Sequence, residues 1–199
     1  MIRLRLSDVE DARQRPSGFR GGSPPGSRMS FTMARALQYS VYEYHRQGGD
    51  LARAAEYFEN MFRRNFRRQG VLLQLLDQLA QYHAQFQSLS NTVVRCRVRV
   101  AIAVGGDMEI TGEIGRLDLA PDGGYAAWLL ARTRHEWRSE LRMPLIQGYF
   151  ARQMVVEPEN VAVGFYFFDP GEHDSVRFSA RQIDAAFAEA HSLSAALAP

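Results

Sequence analysis

The chain has 199 residues, of which 46% are hydrophobic and 23% charged; this composition fits one globular domain and excludes a disordered tail or a fibrous protein. All 24 basic residues are arginine, so mechanisms that depend on a lysine are excluded, from Schiff-base chemistry to Walker-type phosphate loops. The net charge of +2 permits a nucleic-acid partner without indicating one.

The first 29 residues are predicted to be a flexible lead-in, because residues 13–29 are rich in Gly, Pro, Ser and Arg. A single domain is expected to occupy residues 30–199. It begins with helices, which apolar side chains at helical spacing predict over residues 31–47, 51–69 and 71–88.

The hydrophobic period then changes from helical to two, which is typical of strands. Thr92–Val104 alternates apolar residues with arginines, and a tight turn at residues 105–107 predicts an antiparallel return over Met108–Leu119. A Pro-Asp-Gly-Gly turn separates this strand from a third, predicted over residues 125–132. These three strands are expected to form a meander.

The last part of the chain predicts a helix over residues 138–154, then a central strand over the continuous apolar run at 161–168. A short partner strand at 175–178 precedes the final helix, for which Ser179 and Gln182 form a capping box. The predicted fold class is therefore α/β, with a mixed central sheet flanked by helices.

Several kinds of site have no support in the sequence. The lone Cys96 cannot form an internal disulfide or a cysteine metal site, and the five histidines show no pair at metal-ligand spacing. No apolar run reaches the roughly 20 residues that span a bilayer, and the charged N-terminus lacks a signal-peptide core. We therefore expect a cytoplasmic protein with no membrane partner.

Two short motifs resemble a known family. Residues 112–118 read Gly-Glu-Ile-Gly-Arg-Leu-Asp, and residues 142–146 read Arg-Met-Pro-Leu-Ile. They are similar to the Gly-x-Ile-Asp-Arg-Ile-Asp strand and the Gln-Leu-Pro-Leu-Tyr helix start of the RecB-like branch of the PD-(D/E)XK nuclease superfamily. The order of helices, meander, helix and further strand is also that of the PD-(D/E)XK fold, and the resemblance covers about residues 30–190.

This resemblance implies a magnesium site held by two acidic side chains, with a lysine that activates water. This chain carries Gly115 at the position of the metal-binding aspartate and Leu130 at that of the second acid. Arg132 stands at the position of the lysine, and Arg142 at that of the helix glutamine. An arginine cannot give up its proton and so cannot act as a base. We therefore expect no catalytic residue, no metal and no cofactor at these positions.

The acids that remain leave an alternative open. Glu113 and Asp118 flank the altered motif and are candidates for a relocated metal site, in which case Mg²⁺ would be the cofactor. The other interpretation is that Glu113 is a solvated strand residue and that Asp118 is a structural partner of the neighbouring arginine.

Arginines on the first and third strands are candidates for phosphate contacts. Alternation places Arg95, Arg97 and Arg99 on one face of the first strand, and guanidinium groups bind phosphate oxygens bidentately. The predicted nucleic-acid-binding residues are Arg95, Arg97, Arg99, Arg116, Arg132 and Arg134. The alternative is that the arginines pair with Glu109, Glu113 and Asp107 across the sheet.

Three functions are consistent with these features. The favoured one is a catalytically inactive RecB-like nuclease homologue that binds nucleic acid or acts as a scaffold in a DNA-processing, repair or defence complex. Its partners would be DNA or another nucleic acid, together with other proteins. The alternatives are an active metal-dependent DNase with a relocated site and a pure protein-interaction module.

Overall fold

The computed structural model describes residues 1–19, 32–66 and 69–198 of the chain. Over these ranges, six strands form one mixed sheet with helices on both faces. The strands are β1 (Ile2–Arg5), β2 (Thr92–Val104), β3 (Met108–Leu119), β4 (Tyr125–Thr133), β5 (Val161–Asp169) and β6 (Glu172–Val176). The helices are α1 (Val9–Gln14), α2 (Met33–Arg46), α3 (Leu51–Asn65), α4 (Leu72–Leu89), α5 (Arg142–Met154) and α6 (Ala180–Leu197), and short 3₁₀ turns connect some of them.

The sheet is organised around β3. One edge of β3 pairs antiparallel with β2 along its whole length. On the other edge, β1 pairs in parallel with the start of β3, and β4 pairs antiparallel with its end, from Arg116 to Leu119. β5 lies parallel to β4, and β6 is antiparallel to β5. Because two strands share this second edge, β3 and β4 are paired only at one end and diverge towards the other.

The predicted meander and helix caps agree with the structure. β2 and β3 have the predicted bounds, and Ser179 and Gln182 form the capping box of α6. α5 differs, since it begins at Arg142 instead of residue 138. Pro144 lacks an N–H and is tolerated only in the first turn of a helix, which is where this start places it. The short partner strand also begins earlier, directly after the turn at Gly171, where φ is +82°.

The N-terminal residues are not the lead-in that the sequence predicts. Ile2–Arg5 is a strand of the central sheet, and Leu4, Leu6 and Val9 are buried in the core. The apolar alternation at residues 2, 4 and 6 gives this strand one buried face. The correction applies to residues 1–19, and the rest of the predicted lead-in, residues 20–29, lies outside the described ranges.

Two hydrophobic cores lie on opposite faces of the sheet. One is formed with α1, α5 and α6, and the other with α2, α3 and α4. Leu130, Tyr166 and Phe168 are the sheet residues of the second core. Among the described helices, none is both long and apolar enough to cross a membrane.

Candidate functional site

A cleft of about 400 Å³ lies where β3 and β4 diverge. Its other walls are one face of α2, the start of α5 and Phe165 of β5. We call it the fork cleft. Gly115, Leu130 and Arg142 all line it, together with Glu113. Three of the four positions at which the resemblance implies catalytic groups therefore meet in one place.

Gly115 and Leu130 pack directly against each other. A Cβ atom built on Gly115 would lie 2.6 Å from Cγ of Leu130 and 3.2 Å from the carbonyl oxygen of Trp128. No side chain fits at such distances unless its neighbours move. The leucine thus fills the space into which a carboxylate at position 115 would project.

Glu113 is the one carboxylate among the described residues that line the fork cleft. It lies 3.3 Å from the Arg97 guanidinium and accepts a hydrogen bond of 3.3 Å from the Tyr42 hydroxyl. Burial, followed by the Glu113 charge, raises the pKa of Tyr42 well above its usual range, so this hydroxyl stays protonated and donates. Both contacts fix the position of the Glu113 side chain within the protein.

The residues of the fork cleft do not fit a magnesium ion. Mg²⁺ requires several oxygen ligands at about 2.1 Å, and here the described lining contains a single carboxylate, already paired with Arg97, together with Arg35 and Arg142. Within the described ranges, no group of three or more His, Cys, Asp or Glu side chains could hold a metal ion.

Asp118, the other candidate for a relocated metal site, does not line the fork cleft. Its side chain is fully buried, and its oxygens accept hydrogen bonds from Arg116 at 2.7 Å and from Asn91 at 3.2 Å. The structure therefore does not bring Asp118 and Glu113 into one site, and the interpretation of Asp118 as the structural partner of Arg116 is confirmed.

Arg116 is a correction to the predicted nucleic-acid contacts. Its side chain is fully buried, donates to the Tyr82 hydroxyl and lies 4.6 Å from the ring centre of Phe86. Such a guanidinium cannot reach a phosphate at the surface. The alternation of side chains between the two faces of β3 is interrupted near Arg116: Ile114 and Leu117 belong to the same core although they are three residues apart.

Arg97 adopts the predicted cross-strand pair with Glu113, and its guanidinium lies 5.1 Å and 5.6 Å from the ring centres of Tyr39 and Tyr42. The pairing alternative does not extend to Arg95 and Arg99, which make no ion pair with any residue of the described ranges. Glu109 pairs with Arg3 instead, at 3.5 Å. These arginines do not share one face as predicted, because Arg95 lies opposite Leu117, which packs in the core formed with α5 and α6, whereas Arg99 lies opposite Glu113 of the fork cleft.

Arg132 and Arg134, both predicted as phosphate contacts, have different surroundings. Arg132 is exposed near the end of β4 and forms no ion pair within the part of the chain that the structure describes. Arg134 lies beyond the strand and pairs with Glu172 and, at 3.5 Å, with Asp174. Of these two arginines, only Arg132 lacks an ion-pair partner among the described residues.

Sequence reasoning missed the contribution of α2 to the fork cleft. Arg35, Tyr39 and Tyr42 line it, and the amide of Gln38 donates to the carbonyl oxygen of Leu130 at 2.9 Å. A signal existed in the sequence: Tyr39 and Tyr42, three residues apart, lie on a different face from the apolar stripe that packs in the core.

Comparisons with known proteins find little. No family model matches the chain, and no curated protein does. Among solved structures, the crystal structure of SSO0001 is similar, with a TM-score of 0.34 and 11% identity over 93% of this chain and 82% of that chain.

Proposed function

We propose that this chain is a catalytically inactive RecB-like nuclease homologue that serves as a nucleic-acid-binding or scaffolding subunit of a DNA-processing, repair or defence complex. The observation that carries the proposal is the fork cleft, where Gly115, Leu130 and Arg142 meet at positions for which the resemblance implies two acids and a glutamine. A nuclease with these residues lacks the groups that would clamp a metal ion and activate water.

The charges around the fork cleft favour an anion. Arg35 and Arg142 line it, and Arg97 stacks on two of its tyrosines. Glu113 pairs with Arg97, and Glu140 lies 2.6 Å from Arg142, so the charges of these two arginines are partly compensated. Guanidinium groups bind phosphodiester oxygens, and tyrosine rings offer surfaces on which bases stack.

A cleavage assay tests the catalytic part of the proposal. The purified chain, incubated with Mg²⁺ or Mn²⁺, is expected to cleave single- and double-stranded DNA no faster than a mock preparation. Metal-dependent cleavage that Glu113→Gln abolishes would overturn the proposal and support the active DNase.

Salt dependence tests the binding part. Arg99 and Arg132 are exposed and form no ion pair within the described ranges, and Arg132 lies on the same face of β4 as Leu130. If each contacts a phosphate, Arg99→Gln combined with Arg132→Gln should flatten the slope of log K against log salt by about two, at about 0.9 per contact.

Arg134→Gln is the matched control, because Glu172 and Asp174 already compensate the charge of Arg134. This variant is expected to keep the slope of the parent protein. A parent protein that binds no DNA at low salt would overturn the nucleic-acid function and favour the protein-interaction module.

A further inference from the structure

β2 forms one edge of the central sheet. It pairs with β3 on one side, and no other described strand pairs with it. At the opposite edge, β6 is a strand of 5 residues in which Glu172 and Asp174 form ion pairs with Arg134 and Arg138. Short length and charge prevent unwanted pairing at the edge of a sheet. β6 is protected in this way, whereas β2 has 13 residues and no acid.

Only the second half of β2 offers a regular edge. In the first half, the register with β3 shifts between Val93 and Arg95, and Arg97 has a φ of +53°. Such distortions twist an edge away from a partner strand. Over residues 98–104 the register is continuous, no proline or glycine occurs, and Arg99 is the one charged residue. This segment has none of the usual protection.

The pairing of β1 shows which residues of this segment direct their backbone groups outwards. The N–H of Ile2 donates to the carbonyl oxygen of Asp107 at 2.6 Å, so the odd-numbered residues at the start of β3 face β1. The even-numbered residues of β3 therefore bond β2, and their partners there are the even-numbered residues of 98–104. The N–H and C=O groups of the residues between them point away from the sheet, and no group of the described residues bonds them. These outward residues, all exposed, are Arg99, Ala101 and Ala103.

The three outward residues are complementary to the same residues of a second copy. When two copies are related by a two-fold axis at Ala101, their β2 strands run antiparallel and Ala101 pairs with its own counterpart. Arg99 then pairs with the partner's Ala103, so no two arginines lie opposite each other and the small alanine leaves room for the longer side chain. Each of these pairs can exchange both of its N–H···O bonds. Any other antiparallel register of two copies leaves at least one outward residue unpaired.

Charges at the two ends of this arrangement are also complementary. Arg95 and Asp107 are exposed, and neither forms an ion pair within the described ranges. Both belong to the side of the sheet that carries α6, because Arg95 lies opposite Leu117 of that core and Asp107 lines a cavity with His191 of α6. In the two-fold arrangement, the start of one β2 lies beside the turn at residues 105–107 of the other. Opposite charges therefore meet at both ends of the paired strands.

We propose that this chain forms a homodimer in which the β2 strands of two copies pair antiparallel about Ala101, so that the two sheets become continuous. Backbone hydrogen bonds supply the attraction, and the pairing of Arg99 with Ala103 favours one register. The same edge is used in both copies, so assembly stops at the dimer. A strand pair is a small interface, and the dissociation constant is expected at about 1–100 μM. The dimer does not require the proposed function, because the pairing involves neither nucleic acid nor the fork cleft.

Analytical ultracentrifugation of the full chain over a range of concentrations tests the dimer. Ala101→Pro removes the outward N–H at the two-fold axis and leaves the hydrogen bonds between β2 and β3 in place, so the variant should fold and dimerise at least about tenfold more weakly. Ala101→Val is the matched control. It keeps the N–H and suits a strand, so it should dimerise like the parent protein.

A charge exchange tests the register without a change in the backbone. Ala103→Arg places an arginine opposite the partner's Arg99 at two symmetric positions and should weaken the dimer by about fivefold. Adding Arg99→Glu turns both like-charge pairs into opposite-charge pairs, so the double variant should regain the affinity of the parent protein. High salt should reduce the difference between the two variants.

A parent protein that stays monomeric up to about 1 mM would overturn the proposal, as would species larger than a dimer. A dimer that Ala101→Pro leaves unchanged forms through another surface and would overturn it too. If Ala101→Pro does not fold, the charge exchange decides, and equal affinities of Ala103→Arg and the double variant then count against the proposed register. A dimer in a chain that binds no DNA would overturn the nucleic-acid function and leave this proposal standing.

Discussion

Two arginine–carboxylate pairs of the sheet differ in burial, one within β3 and the other between β2 and β3. This difference decides whether the pair is a fixed part of the fold or can be exchanged. Arg116 and Asp118 are 2.7 Å apart, and both side chains have no exposure to solvent. Arg97 and Glu113 are 3.3 Å apart, with side chains 45% and 35% exposed. The buried pair is fixed in the fold, because neither ion can be left alone in the core. The exposed pair can exchange Glu113 for another anion at little cost.

The surroundings of the buried pair complete its hydrogen bonding. Arg116 also donates to the Tyr82 hydroxyl and lies 3.3 Å from a ring nitrogen of His173, while Asn91 donates to Asp118. Burial raises the pKa of Asp118, and the Arg116 guanidinium opposes that shift. The network therefore stabilises the fold only while all its members are present.

Breaking the buried pair should have the largest effect. Asp118→Ala leaves the Arg116 charge unpaired in the core and is expected to lower the free energy of unfolding by about 3–5 kcal/mol in urea denaturation. The double replacement Arg116→Met with Asp118→Leu removes both charges and should cost less than the single one. A double variant as unstable as Asp118→Ala would contradict this account.

Acidification should have the second-largest effect on the free energy of unfolding, because it acts on two largely buried histidines. Burial, followed by the Arg116 charge, lowers the pKa of both His45 and His173 from 6.5 to about 3. The unfolded chain therefore binds protons that the folded chain does not, and stability present above pH 6.5 is lost as the pH falls towards 3. Between pH 7 and pH 5 the loss should be about 1–2 kcal/mol for each histidine.

Urea unfolding at the two pH values measures this loss. His45→Gln should reduce the pH dependence of the unfolding free energy by one histidine's share. A pH dependence that is the same in His45→Gln and the parent protein would be evidence against the neutral, buried imidazole.

A smaller loss of stability is expected from a substitution at Gly115, which lies between Glu113 and Arg116 in β3. Gly115→Ala places a Cβ 2.6 Å from Cγ of Leu130 and should lower the free energy of unfolding by about 1–3 kcal/mol. Gly106→Ala is the control, because a Cβ at Gly106 meets open space. In a Leu130→Ala background the Gly115 substitution should cost less, and an unchanged cost would show that the clash lies elsewhere.

The exposed pair should give the smallest change in stability. Glu113→Gln keeps an acceptor for Tyr42 and is expected to change the free energy of unfolding by less than about 1 kcal/mol. If Arg97 contacts phosphate, the same variant should bind DNA more tightly than the parent protein, because an internal competitor is removed. A stability loss as large as that of Asp118→Ala would mean that the two pairs do not differ as described.

Local signals explain which elements the sequence could predict. β2 and β3 follow from strict period-two alternation around a tight turn, and the α6 cap follows from two residues three positions apart. β1 also alternates, but over only four residues and with no adjoining turn, and its partner lies more than a hundred positions away. Its pairing cannot be derived from local propensity.

The sequence predicted the candidate site only through the residues that match positions of the family motifs. The resemblance placed Gly115, Leu130 and Arg142 at related positions, and all three line the fork cleft. Arg116 was misassigned because its burial depends on Tyr82 and Phe86 of α4, which are distant in sequence. The contribution of α2 was missed because helical periodicity reports the core face first.

The pairing of β1 with β3 also has a consequence for how the chain folds. Ile2–Arg5 leaves the ribosome before the rest of the described chain, yet its hydrogen-bonding partner is Met108–Thr111. Until that partner is made, the apolar side chains of Leu4, Leu6 and Val9 have no core to enter. Contacts of such long range slow folding and leave early segments open to aggregation or proteolysis. The N-terminal strand is thus synthesised early but docks late, and a ribosome-bound chain ending before residue 108 should expose it to protease.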